Sequence, residues 1–231
     1  SFVEIYGNHM AGKTDNWSRR FVAGKAPTAL DSVTVTIGGV PAYVNFVSPL
    51  QVNIQVPEKA QTGGSLPVVL TYNGHSTAPV MLAINALEPG LLAPASFKVN
   101  GVQYAAAFHA NNTIVGNGKV PNIPTTPAKP GETIVFYGVG FGAAKDLTGR
   151  SLPLAGQIIT AQNQLTNPVA FQFGNFGAPG TIMYAGMAIN YTGLYQFNVK
   201  VPADAPDGDL PLTVTLGGNK LAQTLFISVH K

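Results

Sequence analysis

The chain has no cysteine. That excludes disulfides, thiolate metal sites and a cysteine nucleophile, and it leaves the compartment open. Charge is scarce too: Asp, Glu, Lys and Arg make up 10% of residues, against ~25% in an average soluble domain. Such a surface must draw its polarity from Asn, Gln, Ser and Thr. The net charge of +3 is small, and the basic residues are scattered, so no nucleic-acid footprint is expected. No apolar run approaches the ~18 residues of a membrane span. Helical periodicity is missing as well; only Asn16 to Ala23 has room for a turn or two of helix.

What the chain has in quantity is turn formers, Gly 26 and Pro 18 in 231 residues, and between them strictly alternating runs. Tyr195–Gln196–Phe197–Asn198–Val199–Lys200–Val201–Pro202 has an earlier twin, Leu50–Gln51–Val52–Asn53–Ile54–Gln55–Val56–Pro57. A period of two places Tyr195, Phe197, Val199 and Val201 on one face, and Gln196, Asn198 and Lys200 on the other. The twin puts Leu50, Val52, Ile54 and Val56 inward by the same rule.

The repetition extends along the chain. Val3–Glu4–Ile5–Tyr6–Gly7 corresponds to Ile134–Val135–Phe136–Tyr137–Gly138. Val33 to Gly38 corresponds to Val169 to Gly174, and Leu66 to Gly74 to Leu210 to Gly218. The spacing widens in the second copy, and the extra residues are placed at Asn175 to Gly180. Each copy holds about seven short strands at roughly ten-residue spacing, the cue for an immunoglobulin-like sandwich. Asn73–Gly74 and Asn100–Gly101 mark hairpin turns. The expected architecture is all-β: two tandem immunoglobulin-like sandwiches at residues 1–86 and 131–231, joined at 87–130 by a β-rich, Pro-containing connector. Phe97, Tyr104 and Phe108 should hold that connector against a sandwich. The chain begins directly in a strand pattern, so it reads as a module of a longer polypeptide with any export signal upstream.

Four strings are family-like: Val35 to Ala42, Ser48 to Asn53, Pro130 to Gly142 and Gly193 to Asn198. Together they resemble a C-terminal domain of large secreted proteins of Solibacter-type acidobacteria, with halves similar to IPT/TIG modules. The resemblance covers nearly the whole chain. It implies an immunoglobulin-like fold and export, and it carries over no catalytic residue.

Three motifs compete with plainer readings. Gly7–Asn8–His9–Met10–Ala11–Gly12–Lys13–Thr14 satisfies the phosphate-loop pattern, but no helix pattern follows and the second copy lacks the Lys-Thr, so a plain loop is expected. Asp204, Asp207 and Asp209 share one turn without EF-hand spacing and read as solvated. His9, His75, His109 and His230 make no zinc pair and read as surface or turn residues. No cofactor, metal site or catalytic residue is therefore assigned. Trp17, Asn53 and Asn198 remain as candidate ligand contacts, with packing the plainer role for Trp17. The function expected is a non-catalytic extracellular spacer, adhesion or binding module, with polysaccharide or another surface protein as partner. A carbohydrate-binding module is the alternative, and an enzyme with a site between the two repeats the second.

Overall fold

The computed structural model describes residues 1–175 and 179–231, so residues 176–178 of the expected insertion lie outside the described residues. Every regular element among the described residues is a strand, apart from two single turns of 3-10 helix at Trp17–Arg19 and Ala95–Phe97. The first of these is capped by Asn16, whose Oδ1 accepts the Ser18 N–H at 2.9 Å.

Twelve strands carry the repeat: β1 (Phe2–Tyr6), β2 (Val33–Ile37), β3 (Tyr43–Val47), β4 (Gln51–Gln55), β5 (Gly64–Tyr72) and β6 (Val80–Ile84), then β7 (Thr133–Val139), β8 (Val169–Phe173), β9 (Thr181–Met187), β10 (Tyr195–Lys200), β11 (Gly208–Leu216) and β12 (Leu225–Val229). In the first copy β4 lies between β1 and β3 in one sheet, and β5 lies between β6 and β2 in the other. The second copy repeats this strand for strand, with β10 between β7 and β9 and β11 between β8 and β12. Even the irregularity is duplicated: a bulge between Val44 and Phe46 on β3 recurs between Ile182 and Tyr184 on β9. It lets Val44 and Val47 both face inward on one strand.

The chain divides into two compact units. Unit 1 comprises Ser1–Glu88, Ser151–Gln162 and Ala188–Gly193; unit 2 comprises Pro89–Arg150, Asn163–Met187 and Leu194–Lys231. The unit 1 core is aliphatic: Val33, Val35 and Ile37 from one sheet face Val44, Val47, Val52 and Ile54 from the other. The unit 2 core places aromatics at the same positions. Phe136, Phe171, Phe173 and Phe197 are fully buried, with ring centroids 5.1 Å apart for Phe136–Phe171 and 5.5 Å for Phe171–Phe197.

Most of the extra residues of the second copy sit outside the stretch where the sequence placed them. Four residues, 48–51, separate the paired Val47 and Val52; in the second copy 186–196 separate the equivalent Ala185 and Phe197. The hairpin after β9 is thus the main insertion, and its tip, Ala188–Gly193, belongs to unit 1. Two inward assignments also change. Leu50 is 61% exposed, because Ser48 Oγ accepts the N–H groups of Leu50 and Gln51 and holds Leu50 in a turn ahead of the strand. Gln55, on the polar face, is 0% exposed because it lies beneath the unit 1 segments from 151–162 and 188–193.

The connector region is built into unit 2. Phe97, Val99, Tyr104, Ala106 and Val120 form a cluster of their own against Phe226. Burial, with Asp209 beside it, pushes the Tyr104 phenol up to about 12.

Candidate functional site

The Gln-x-Asn pairs of β4 and β10 are internally satisfied. Gln51 Nε2 donates to Asn53 Oδ1 at 2.8 Å, and Gln196 Nε2 donates to Asn198 Oδ1 at 2.9 Å. Residues two apart on a strand share a face, so each pair forms one amide ladder on a half-buried outer face. Register places Glu4 and Phe46 opposite Asn53, and Val135 and Tyr184 opposite Asn198.

Trp17 is half-buried against the unit 1 core. Its ring meets Phe2 at 5.9 Å and 74°, and Phe21 at 5.3 Å and 62°. Phe108 meets Tyr137 at 71°. A sugar platform needs rings that share a plane, whereas these edge-to-face pairs satisfy one another.

The glycine-rich loop after β1 carries its own anion. Gly12 N–H and Lys13 N–H donate to Asp31 Oδ2 at 3.1 and 3.2 Å, and Lys13 Nζ lies 3.7 Å from Asp31 Oδ1. Amides that a phosphate-binding loop would turn to its ligand here bind a carboxylate, and the short strand Asp15–Asn16 follows where a helix would be needed. The second acidic turn is also committed. Asp207 accepts Lys231 N–H and lies 3.3 Å from His230 Nδ1, while Asp209 accepts Asn117 Nδ2.

His109 departs from the surface reading. Its Nδ1 lies 2.6 Å from Glu132 Oε1, and its Nε2 lies 3.0 Å from Thr126 Oγ1 and 3.2 Å from Thr126 O. A hollow of about 550 Å³ opens beside this group, lined also by Asn111, Thr113 and Lys129. Carboxylate, imidazole and hydroxyl in line can activate a hydroxyl. Here, however, the imidazole holds the Thr126 main chain as well, and Glu132 Oε2 accepts Lys129 N–H in its own turn. The cluster therefore ties the strand Thr125–Thr126 to the turn before β7. The sequence carries no local signal of it, because its members come from three separate stretches of chain.

A further opening lies in unit 1. A groove of about 470 Å³ runs between β1 and β6, lined by Val3, Ile5, Met10, Leu70, Val80 and Leu82 among others. Glu4 and Tyr6 stand at its rim, joined by a hydrogen bond from the Tyr6 hydroxyl to the Glu4 carboxylate that holds the phenol above its usual range.

Two edge strands and a sandwich of this topology belong with an immunoglobulin-like module. Residues 1–83 match the IPT/TIG domain. The strand repeat gives residues 133–229 the same topology as this IPT/TIG stretch. No curated protein matches the chain. Among solved structures, an endo-fucoidan hydrolase of glycoside hydrolase family 107 aligns at 13% identity and a TM-score of 0.20, over 95% of this chain. The chain spans 29% of that enzyme's length, and a likeness at that score carries no argument about activity.

Proposed function

We propose that the chain is a non-catalytic extracellular spacer, adhesion or binding module of a larger secreted polypeptide, made of two tandem IPT/TIG-like sandwiches. The observation that carries this reading is where the few carboxylates go. Asp31 holds the loop after β1, Asp146 accepts from the Thr148 and Arg150 N–H groups of its own turn, and Glu132 holds the turn before β7. Each stabilises a loop, as a scaffold requires. The IPT/TIG match over residues 1–83 supports the same reading.

Carbohydrate binding is the second reading, favoured by one observation: Tyr6 stands 68% exposed directly opposite Gln51, beside the amide ladder of β4. Retention on a panel of insoluble and immobilised polysaccharides tests the pair. A spacer or protein-binding module passes through; a carbohydrate module is retained by one polysaccharide and released by its soluble form.

A further inference from the structure

The two copies differ at one edge. In unit 2 the stretch Tyr104–Phe108 closes the side of the sandwich. Ala105 N–H donates to Phe226 O of β12 at 3.0 Å, and Ala107 and Phe108 pair antiparallel with Phe136 and Val135 of β7. Leu92 N–H further satisfies Tyr137 O at 2.8 Å, and Ala128 N–H satisfies Ser228 O at 3.0 Å. In unit 1 the equivalent strands β1 and β6 are both free sheet edges among the described residues. By ladder alternation the backbone groups of Phe2, Glu4 and Tyr6 face away from β4. The side chains behind them record the difference. Ile134 and Phe136 are fully buried while their counterparts Val3 and Ile5 are only partly so, and Leu225 is 5% exposed where Val80 is 69%.

We propose that the groove between β1 and β6 binds an extended segment of a second polypeptide, added antiparallel to β1, with small side chains facing Ile5 and a basic side chain opposite Glu4. The strand seated in unit 2 fixes the first requirement: Ala105 and Ala107 are fully buried against that core, and a groove of the same parentage takes residues of that size. Charge fixes the second. Phe108 sits opposite Val135, beside Tyr137 at 5.8 Å; the corresponding residues in unit 1 are Glu4 and Tyr6, and an arginine there meets a carboxylate and an aromatic face together. Glu4 also keeps the free edge from pairing with strands that carry no complementary charge.

This rests on the reading of the chain as a binding module, but a peptide titration fails or succeeds independently of the polysaccharide panel. The probe is the fluorescein-labelled peptide Gln-Tyr-Ala-Ala-Ala-Arg-His, titrated by anisotropy with the full chain. Saturable binding is expected, weakened at least tenfold by Glu4→Pro, which removes both the carboxylate and an N–H that points off the sheet edge, and by Val80→Lys on the opposite wall. Unchanged melting temperatures show that the variants fold. A peptide with glutamate for arginine should bind at least tenfold more weakly to the wild type and recover on Glu4→Lys. No saturation at millimolar chain, or equal binding by Glu4→Pro, overturns the proposal. So does a dimer in sedimentation that Glu4→Pro dissolves, because the edge would then serve a second copy.

Discussion

Gln55 Oε1 accepts the N–H of Gly156 at 2.9 Å although 101 residues separate them. Thr192 Oγ1 also donates to this oxygen, at 3.3 Å. The amide nitrogen lies against Gly193, where a Cβ would come within 1.9 Å of it. One buried side chain thus ties together the three chain segments of unit 1.

Gln55→Ala leaves the Gly156 N–H without its acceptor, and a loss of about 1–3 kcal/mol is expected. Gly156→Ala should cost more. Its φ of +71° disfavours a side chain, and a Cβ would lie 1.9 Å from the Tyr43 ring. Urea denaturation of the full chain ranks the two; a Gly156→Ala variant as stable as the wild type would remove the close approach from the account.

The cores should respond in proportion to the volume removed. Phe197→Ala empties a site packed by Phe141 at 4.6 Å and by Phe171, and about 3–5 kcal/mol is expected. Val52→Ala, at the matching position, removes two methyl groups and should cost less. Equal losses in denaturant midpoints would show that the two positions are not equivalent.

These contrasts mark what the residues themselves disclosed. Alternation and turn chemistry were enough for β4 and β10, because a half-buried strand repeats its pattern in neighbouring residues. Asn73–Gly74 and Asn100–Gly101 adopt positive φ as hairpin turns require. What escaped was long-range. Leu50 and Tyr195 occupy the same place in the twin runs, yet one is turned out by Ser48 while the other is buried, its hydroxyl donating to Gly142 O at 2.6 Å. Gln55 is covered by segments a hundred residues away, and the only hint was an uncharged residue where the second copy has Lys200. Neither the bond from His109 to Glu132 nor the free edge of β1 follows from local pattern, since each depends on which distant segment arrives beside it.

The loop after β1 should not bind nucleotide. Calorimetry of the chain with ATP and Mg²⁺ is expected to show no heat of binding, and Lys13→Ala should change stability by no more than ~0.5 kcal/mol. Asp31→Ala should cost more than Lys13→Ala, because it strips the acceptor from two amides. Micromolar ATP affinity lost in Lys13→Ala would contradict the assignment of these amides to Asp31.

Acid should act partly through Asp146. The Thr148 hydroxyl that donates to it, helped by the Arg150 and Thr148 N–H groups and the Arg150 guanidinium, outweighs the opposing effect of burial and holds the carboxyl below its usual range. A carboxylate lowered on folding stabilises above its unfolded value and loses that contribution as pH falls through the folded one. Stability should therefore decline below ~pH 4 as these groups protonate, and Asp146→Asn should be less stable at neutral pH with a shallower acid slope. An unchanged slope in melting temperature against pH would remove Asp146 from the acid response.

The reading of the chain as scaffold and not sugar site is tested most directly at the amide ladders. Asn53→Ala with Asn198→Ala removes both acceptors, and melting temperature is measured beside retention on the polysaccharide panel. The account predicts a lower melting temperature, by roughly the 0.5–1.5 kcal/mol of each lost hydrogen bond, and a retention profile identical to that of the wild type. An unchanged melting temperature with loss of a polysaccharide that the wild type retains would contradict it, and would make the two outer faces ligand sites.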